Sequence, residues 1–454
     1  VPLRHDDPSA GTLHVRVRVV GAGRLRDSSK APIFLLAGGP GQSAYELAPA
    51  IAAKFQAMAR DRDLVFVEQR GTGKESELAC DLDEIRPMRL RHFLAPNRED
   101  VEFAQRCLKN LKGDPADFQT ADFVADLDLI RRTLGYEKIA LYGVSYGTRA
   151  ALAYLEAHAA DTELAILDAA APADLNLMVD PLLDTEAAIE AWIESCGHTN
   201  DCAERFPTLR ANFKEVVAML ERGPVALEMV NPWTAQPEHV EIHLGNFYSI
   251  LRASAYTKSS ASRIPFAISE AAQGKWLPMA GMVASGGEGG IAIELYYSIL
   301  CQEDAHAVAS EKLQAAKESP LAAVMLHSQV EICEYWKSSA SSKPAHGQFT
   351  VDTPMLVLSG ELDPVTSPKW GSVAASYSQR SQHVVLPGNG HGAFYHACSP
   401  QIIGGFLKSP SSWKLEASDE TCLQQSKRQH FFVSPLGPSV YPLADSDEKE
   451  SESL

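Results

Sequence analysis

Apolar residues follow two different periods along this chain, and the two alternate. Leu13, Val15, Val17 and Val19 are interleaved with His14, Arg16 and Arg18. That two-residue period predicts a half-exposed strand at the edge of a sheet. Ile33 to Ala37 and Leu64 to Glu68 are short apolar runs, as expected of central strands buried on both faces. Phe123, Leu127, Ile130 and Leu134 then fall at helical spacing, and Gly135 closes that segment. Ile139-Ala140-Leu141-Tyr142 is a further strand, Thr148 to Ala157 an Ala- and Leu-rich helix without a breaker, and Leu164 to Asp168 another buried strand. This alternation predicts an α/β fold with a mostly parallel sheet. Met355 to Leu358 and His383 to Leu386 add two strands near the C-terminus.

The middle of the chain reads differently. From about Leu182 to His346 the patterning is helical, as in Ala187 to Cys196 and Leu209 to Leu220, with few strand-like runs. Gly281 to Gly290 is a Gly-rich connector and Ser338 to Lys343 a polar linker. Gly286-Gly287-Glu288-Gly289-Gly290 lacks the preceding strand and following helix of a phosphate loop. The expected organisation is one sheet in two halves, residues 1–181 and 347–435, with a helical insertion at 182–346. The acidic residues 436–454 form a solvated tail.

Between the strand at 139–142 and the helix after it lies Gly143-Val144-Ser145-Tyr146-Gly147. Strand, Gly-x-Ser-x-Gly, helix is the nucleophile elbow of a serine hydrolase. The sharp turn needs small residues two before and two after the serine, and it lifts the hydroxyl out of the sheet. A serine hydroxyl needs a base, and the base an orienting acid. In this arrangement the chain order is serine, acid, histidine. Asp363, in the loop after the strand at 355–359, is the expected acid, with Glu361 and Asp168 as rivals. His391, between Gly390 and Gly392 in the loop after the next strand, is the expected base, with His396 as competitor. The oxyanion needs backbone donors. Tyr146 N–H supplies one, and Gly39 in Gly38-Gly39-Pro40-Gly41 the other. No metal or organic cofactor is called for.

Composition narrows the partners. The 454 residues carry a net charge of −17, which argues against nucleic acid, because phosphate binding needs a basic face. No apolar stretch of about 18 residues predicts a membrane span. The chain begins at Val1, and a removed leader is the simplest expectation. Cys80, Cys107, Cys196, Cys202, Cys301, Cys333, Cys398 and Cys422 form an even set without Cys-x-x-Cys spacing. Eight cysteines allow about 105 pairings, and sequence does not choose among them. Bridging neighbours closes only short loops and is the expected arrangement. It implies a periplasmic or secreted protein; eight reduced thiols in a cytosolic enzyme is the alternative.

Taken together, these motifs resemble a family. Ala37-Gly38-Gly39-Pro40-Gly41 and Glu68-Gln69-Arg70-Gly71-Thr72-Gly73 resemble two segments of proline iminopeptidases, where His and Asp are usual in place of Ala37 and Glu68. Gly143 to Thr148 resembles the elbow of the related tripeptidyl aminopeptidases. The paired cysteines resemble the secreted tripeptidyl branch. The resemblance implies an α/β-hydrolase core with a helical cap. It also implies cleavage of residues or short peptides from free N-termini through an acyl-enzyme. Cys301-Gln302-Glu303-Asp304 resembles an acidic segment of that branch, so Glu303 and Asp304 are expected anchors for the substrate ammonium. A carboxylesterase or lipase-like hydrolase using the same triad is the alternative, and a non-catalytic binding protein on this fold is a further one.

Overall fold

The structure, a computed structural model, describes residues 1–73, 78, 80, 97–231, 234–283, 290–336, 345–426 and 430–438. Most of the Gly281–Gly290 connector, the Ser338–Lys343 linker and the acidic tail beyond 438 therefore lie outside the described residues. The strands are β1 (Val17–Val20), β2 (Ile33–Leu36), β3 (Leu64–Val67), β4 (Ile139–Val144), β5 (Thr162–Asp168), β6 (Val225–Val230), β7 (Pro237–Ile242), β8 (Met355–Gly360) and β9 (Ser381–Leu386). Seven of them form one sheet in the order β1-β3-β2-β4-β5-β8-β9. β1 runs antiparallel to β3 at the edge, and every other neighbouring pair is parallel.

The unbroken apolar runs are explained by burial on both faces. Ile33, Leu35, Leu64, Phe66, Ala140, Tyr142, Leu164, Ile166, Leu356 and Leu358 point into one core layer, beneath the helices Ala44–Met58 and Ser399–Lys408. Their immediate neighbours, among them Phe34, Leu36, Val65, Leu141, Ala165 and Val357, point into the other, under the helices Thr120–Thr133 and Tyr146–His158. Side chains alternate across a strand, so a strand covered by helices on both sides must be apolar throughout.

The chain between β5 and β8 has a core of its own, built on Ile189, Trp192, Phe247, Leu251, Leu326 and Trp336. That core also draws in Val101, Ala104 and Cys107 of the helix Asn97–Lys109, and Phe431 from the C-terminal part. The cap is thus assembled from more of the chain than the insertion alone. It also holds the antiparallel pair β6–β7, which the helical reading of this region does not anticipate. β6 alternates half-buried and exposed positions, a two-residue period hidden by its position right after the helix Leu209–Arg222.

The eight cysteines pair as 80–107, 196–202, 301–333 and 398–422. No helix among the described residues is long and apolar enough to cross a membrane.

Candidate active site

Ser145 follows β4 directly, near the middle of the sheet, and its backbone has φ 55° and ψ −125°. This is a rarely populated region for a residue with a Cβ, at a typical cost of about 1–3 kcal/mol. Close packing holds the turn in place. A Cβ on Gly147 would run into the carbonyl oxygens of Leu36 and Ala37, and one on Gly143 into the backbone of Gly147 and Thr148. The helix Tyr146–His158 can therefore start against β2 only because these two residues are glycines. Thr148 then locks the turn: its hydroxyl donates to Ser145 O at 2.6 Å and accepts from Ala171 N at 2.7 Å.

Asp363 and His391 lie in the loops after β8 and β9. Nδ1 of His391 sits 2.9 Å from Asp363 Oδ2 and 3.1 Å from Oδ1. The acid is buried and held in its own turn, where Oδ1 accepts the N–H groups of Val365 (2.9 Å) and Thr366 (2.8 Å). The Thr366 hydroxyl donates to Oδ2 at 2.8 Å and lies 3.3 Å from the imidazole Nδ1. His391 N donates to Tyr256 O of the cap at 2.8 Å, and its ring stands edge-on to that of Tyr256, with centroids 4.8 Å apart. Ser145, Gly39, Thr366 and Tyr256 line one cavity under the cap. The imidazole is thus bracketed by two walls of the cavity that Ser145 enters. No hydrogen bond joins Ser145 to His391 among the described residues; such contacts often tighten only with substrate bound.

The rivals of the acid and base have other duties. Glu361 accepts the N–H of Gly388 at 2.7 Å. His396 Nδ1 accepts the N–H of Cys398 at 3.2 Å. Asp168, fully buried at the end of β5, accepts Tyr142 Oη (2.7 Å), Ala393 N (2.5 Å) and Phe394 N (3.0 Å). It fastens the segment immediately after His391. Burial pushes its carboxyl above the usual range, against the pull of those three donors and of His391.

Gly39 has φ 108° and lines the cavity beside Ser145, while the Gly38 Cα lies against Ser145 Cβ with little room for a side chain. Tyr146 opens the helix Tyr146–His158. Its hydroxyl is buried and meets Gln69 Nε2 at 3.0 Å and Thr120 Oγ1 at 2.6 Å. Arg70, in the same segment as Gln69, pairs with Asp126 at 2.6 Å in the interior. The Glu68–Gly73 segment therefore supports the helix Tyr146–His158 from below.

Glu303 and Asp304 are used otherwise than the resemblance implies. Asp304 pairs with Arg149 at 2.7 Å and accepts Leu177 N at 3.1 Å. Glu303 accepts Thr120 N at 2.6 Å and the Thr120 hydroxyl at 2.9 Å. Both are buried, and neither is among the residues lining the cavity at Ser145. One guanidinium facing two acids in a dry interior leaves one acid short of charge. Burial, ahead of the opposing pull of Arg149, pushes the Glu303 carboxyl from 4.5 up to about 7.

Sequence reasoning missed Thr366, Asp168 in its actual use, and the cap residues Arg252, Tyr256, Tyr296 and Gln329 that line the cavity. Thr366 had a signal, since a threonine three residues after an aspartate is the spacing of a side-chain-capped turn. The cap residues had none, because a polar residue on a helix reads as a solvated face. A larger cavity of about 390 Å³ opens between Val20–Leu25 and Gln56–Arg62, at the opposite end of β3 from the Ser145 side of the sheet, and its lining includes no serine, cysteine or histidine.

Residues 31–190 match the family described as alpha/beta hydrolase fold, and residues 319–422 the family described as TAP-like protein. The serine protease Hip1 of Mycobacterium tuberculosis and that of Mycobacterium bovis are each 33% identical over 146 residues. The match covers 29% of this chain and 28% of either relative, so the chain spans under a third of the curated relatives it matches. Among solved structures, the esterase RhEst1 from Rhodococcus sp. ECU1013 is 15% identical with a TM-score of 0.38, covering 87% of this chain and 95% of that one. The esterase EaEST from Exiguobacterium antarcticum is 14% identical with a TM-score of 0.36, covering 87% and 96%.

Proposed function

We propose, from the premise that this chain is an α/β hydrolase carrying a TAP-like segment, that it is a serine peptidase releasing residues or short peptides from peptide chain ends. One observation carries the reading: a buried Asp363 joined at 2.9 Å to a half-buried His391, beside a cavity that a serine on a tight elbow enters. In this mechanism His391 takes the proton of Ser145 Oγ as it attacks the scissile carbonyl. Asp363 receives Nδ1–H and so keeps Nε2 free to act as base. The N–H groups of Gly39 and Tyr146 receive the oxyanion, reinforced by the positive end of the nucleophile helix. The imidazolium then protonates the leaving amine, and water releases the acyl group by the same route reversed.

Peptides are favoured over simple esters by the TAP-like match and by the protease relatives. A cap seated on the catalytic loops restricts entry to chain ends: Tyr256 O holds His391 N, and Thr185 Oγ1 donates to Pro364 O at 2.7 Å. The four disulfides fit an oxidising, extracytoplasmic setting. The test is a panel of chromogenic one-residue, proline-ended and three-residue amides beside short acyl esters, each with free and blocked amines. Wild type is expected to turn over at least one amide class and Ser145→Ala none. Retained activity in Ser145→Ala refutes the nucleophile; turnover of esters alone refutes the peptidase reading.

A further inference from the structure

We propose that Arg252 makes the catalytic cavity selective for substrates bearing a carboxylate close to the scissile bond; this rests on reading Ser145 as the nucleophile. Most of the cavity wall is apolar, with Leu175, Leu177, Leu182 and Val365 among its residues. Of all the lining residues, Arg252 alone carries a permanent charge. It projects from the cap helix Leu244–Ala255, one turn before Tyr256, which touches His391.

The state of this arginine is unusual for the protein. Buried charges are normally paired, and the four buried arginines obey that rule, whereas Arg252 is half-buried with its Nε in the interior. Arg70 meets Asp126 at 2.6 Å, Arg149 meets Asp304 at 2.7 Å, Arg62 meets Glu163 at 2.6 Å and Arg131 meets Asp128 at 2.8 Å. The phenols of Tyr256, Tyr248 and Tyr296 surround Arg252, Tyr256 hydrogen-bonds its side chain, and no acid pairs with it among the described residues. Its Nε is buried without a hydrogen-bond partner. A second orphan lies in the same cavity: Oε1 of Gln329, on the helix Pro320–Tyr335, is likewise buried and unpartnered, in a residue only 7% exposed. Two of the five buried unpartnered side-chain atoms among the described residues thus line the cavity at Ser145.

One unpartnered N–H of a charged guanidinium and one unpartnered neutral acceptor define the ligand they fit. Nε–H and the rest of the guanidinium take a carboxylate, the anion whose geometry matches the fork. Gln329 Oε1 takes an N–H from the same peptide. A substrate ammonium fits poorly, since it would enter a site whose one fixed charge is positive while Glu303 and Asp304 are committed elsewhere. An acidic residue on one side of the scissile bond, or a free peptide C-terminus near it, has the required chemistry.

The test compares substrates that differ only as carboxylate against carboxamide. One pair is Ala-Ala-Glu and Ala-Ala-Gln p-nitroanilide, placing the group on the acyl side. The other is a pair of tetrapeptide amides whose released residue is Glu or Gln, followed by chromatography. Wild type is expected to favour the Glu member of at least one pair by roughly 10- to 100-fold in kcat/KM, as expected for a charged hydrogen bond in a dry site. Arg252→Met is expected to erase the preference and Arg252→Lys to retain part of it, with melting temperatures recorded to show that each variant is folded. Calorimetric binding of the same peptides to Ser145→Ala reads the preference without turnover. An absence of cleavage in wild type counts against the peptidase reading and leaves this binding arm to decide the selectivity. Equal treatment of Glu and Gln in both pairs, or a preference undiminished in folded Arg252→Met, overturns the proposal.

Discussion

Replacing Glu303 by glutamine separates its two possible uses. Its carboxyl is buried, bonded to the backbone and hydroxyl of Thr120, and 3.9 Å from an Arg149 that Asp304 already neutralises. In the native protein it holds its proton up to about pH 7, against 4.5 ordinarily. Between those values the folded state binds a proton that the unfolded chain has released, so stability falls as pH rises. At about 1.4 kcal/mol per pH unit, that window from 4.5 to about 7 amounts to about 3 kcal/mol. The stabilising contribution is complete below 4.5 and lost once pH passes about 7. Glutamine mimics the protonated acid and does not titrate. Glu303→Gln should therefore match the wild type near pH 4 and exceed it by up to about 3 kcal/mol near pH 8, less whatever the amide forfeits at Thr120. Urea unfolding followed by tryptophan fluorescence at pH 4, 6 and 8, with the disulfides intact, measures this. Parallel stability curves for the two proteins would refute the argument, because they would mean that the carboxyl is already ionised throughout. The same variant decides the amine-anchor reading. A structural role leaves the ratio of KM for free-amine and acetylated peptides unchanged, whereas a KM raised for free amines alone would restore Glu303 to the binding site.

Asp168→Asn keeps the shape but presents an amide N–H2 to some of the donors that now meet a carboxylate. A loss of about 3 kcal/mol in stability is expected. Because the His391 segment is released, kcat should drop about 100-fold with KM little changed, as steady-state kinetics and calorimetry would show. Gly147→Ala drives a methyl into the Leu36 and Ala37 carbonyls, and should yield either no folded protein or one inactive toward every substrate class, read by circular dichroism beside activity. Replacing Cys301 and Cys333 together by alanine, which opens a sequence separation of 32, should cost about 4 kcal/mol by loop entropy. The same change at Cys196 and Cys202, separated by 6, should cost about 2 kcal/mol; equal losses in chemical denaturation would refute the entropic account.

Some of this protein was written in local pattern. The central strands were legible because both faces of the sheet are covered, which forces unbroken runs such as Ile33–Leu36 and Met355–Leu358. The elbow was legible because a turn that sharp tolerates only glycine at 143 and 147. The chain order of Ser145, Asp363 and His391 follows from each standing at the C-terminal end of a strand of one parallel sheet. The hairpin β6–β7 escaped because its strands are only partly buried, so their alternation is weak beside the helices around them.

What the sequence by itself determined is the set of features each enforced by neighbours a few residues away: strand runs, helix faces, the elbow and the turns around the acid and base. The tertiary structure alone decided how charges are spent. Glu303 and Asp304 look alike on paper, yet Arg149 and Thr120, more than 150 residues distant in the chain, turn them into core groups. Arg252 looks like any helix-surface arginine, yet the cap leaves it at the cavity with no acid paired to it among the described residues. The cost of a buried charge depends on which groups meet it in space, and that pairing is set by packing between distant segments rather than by any local pattern.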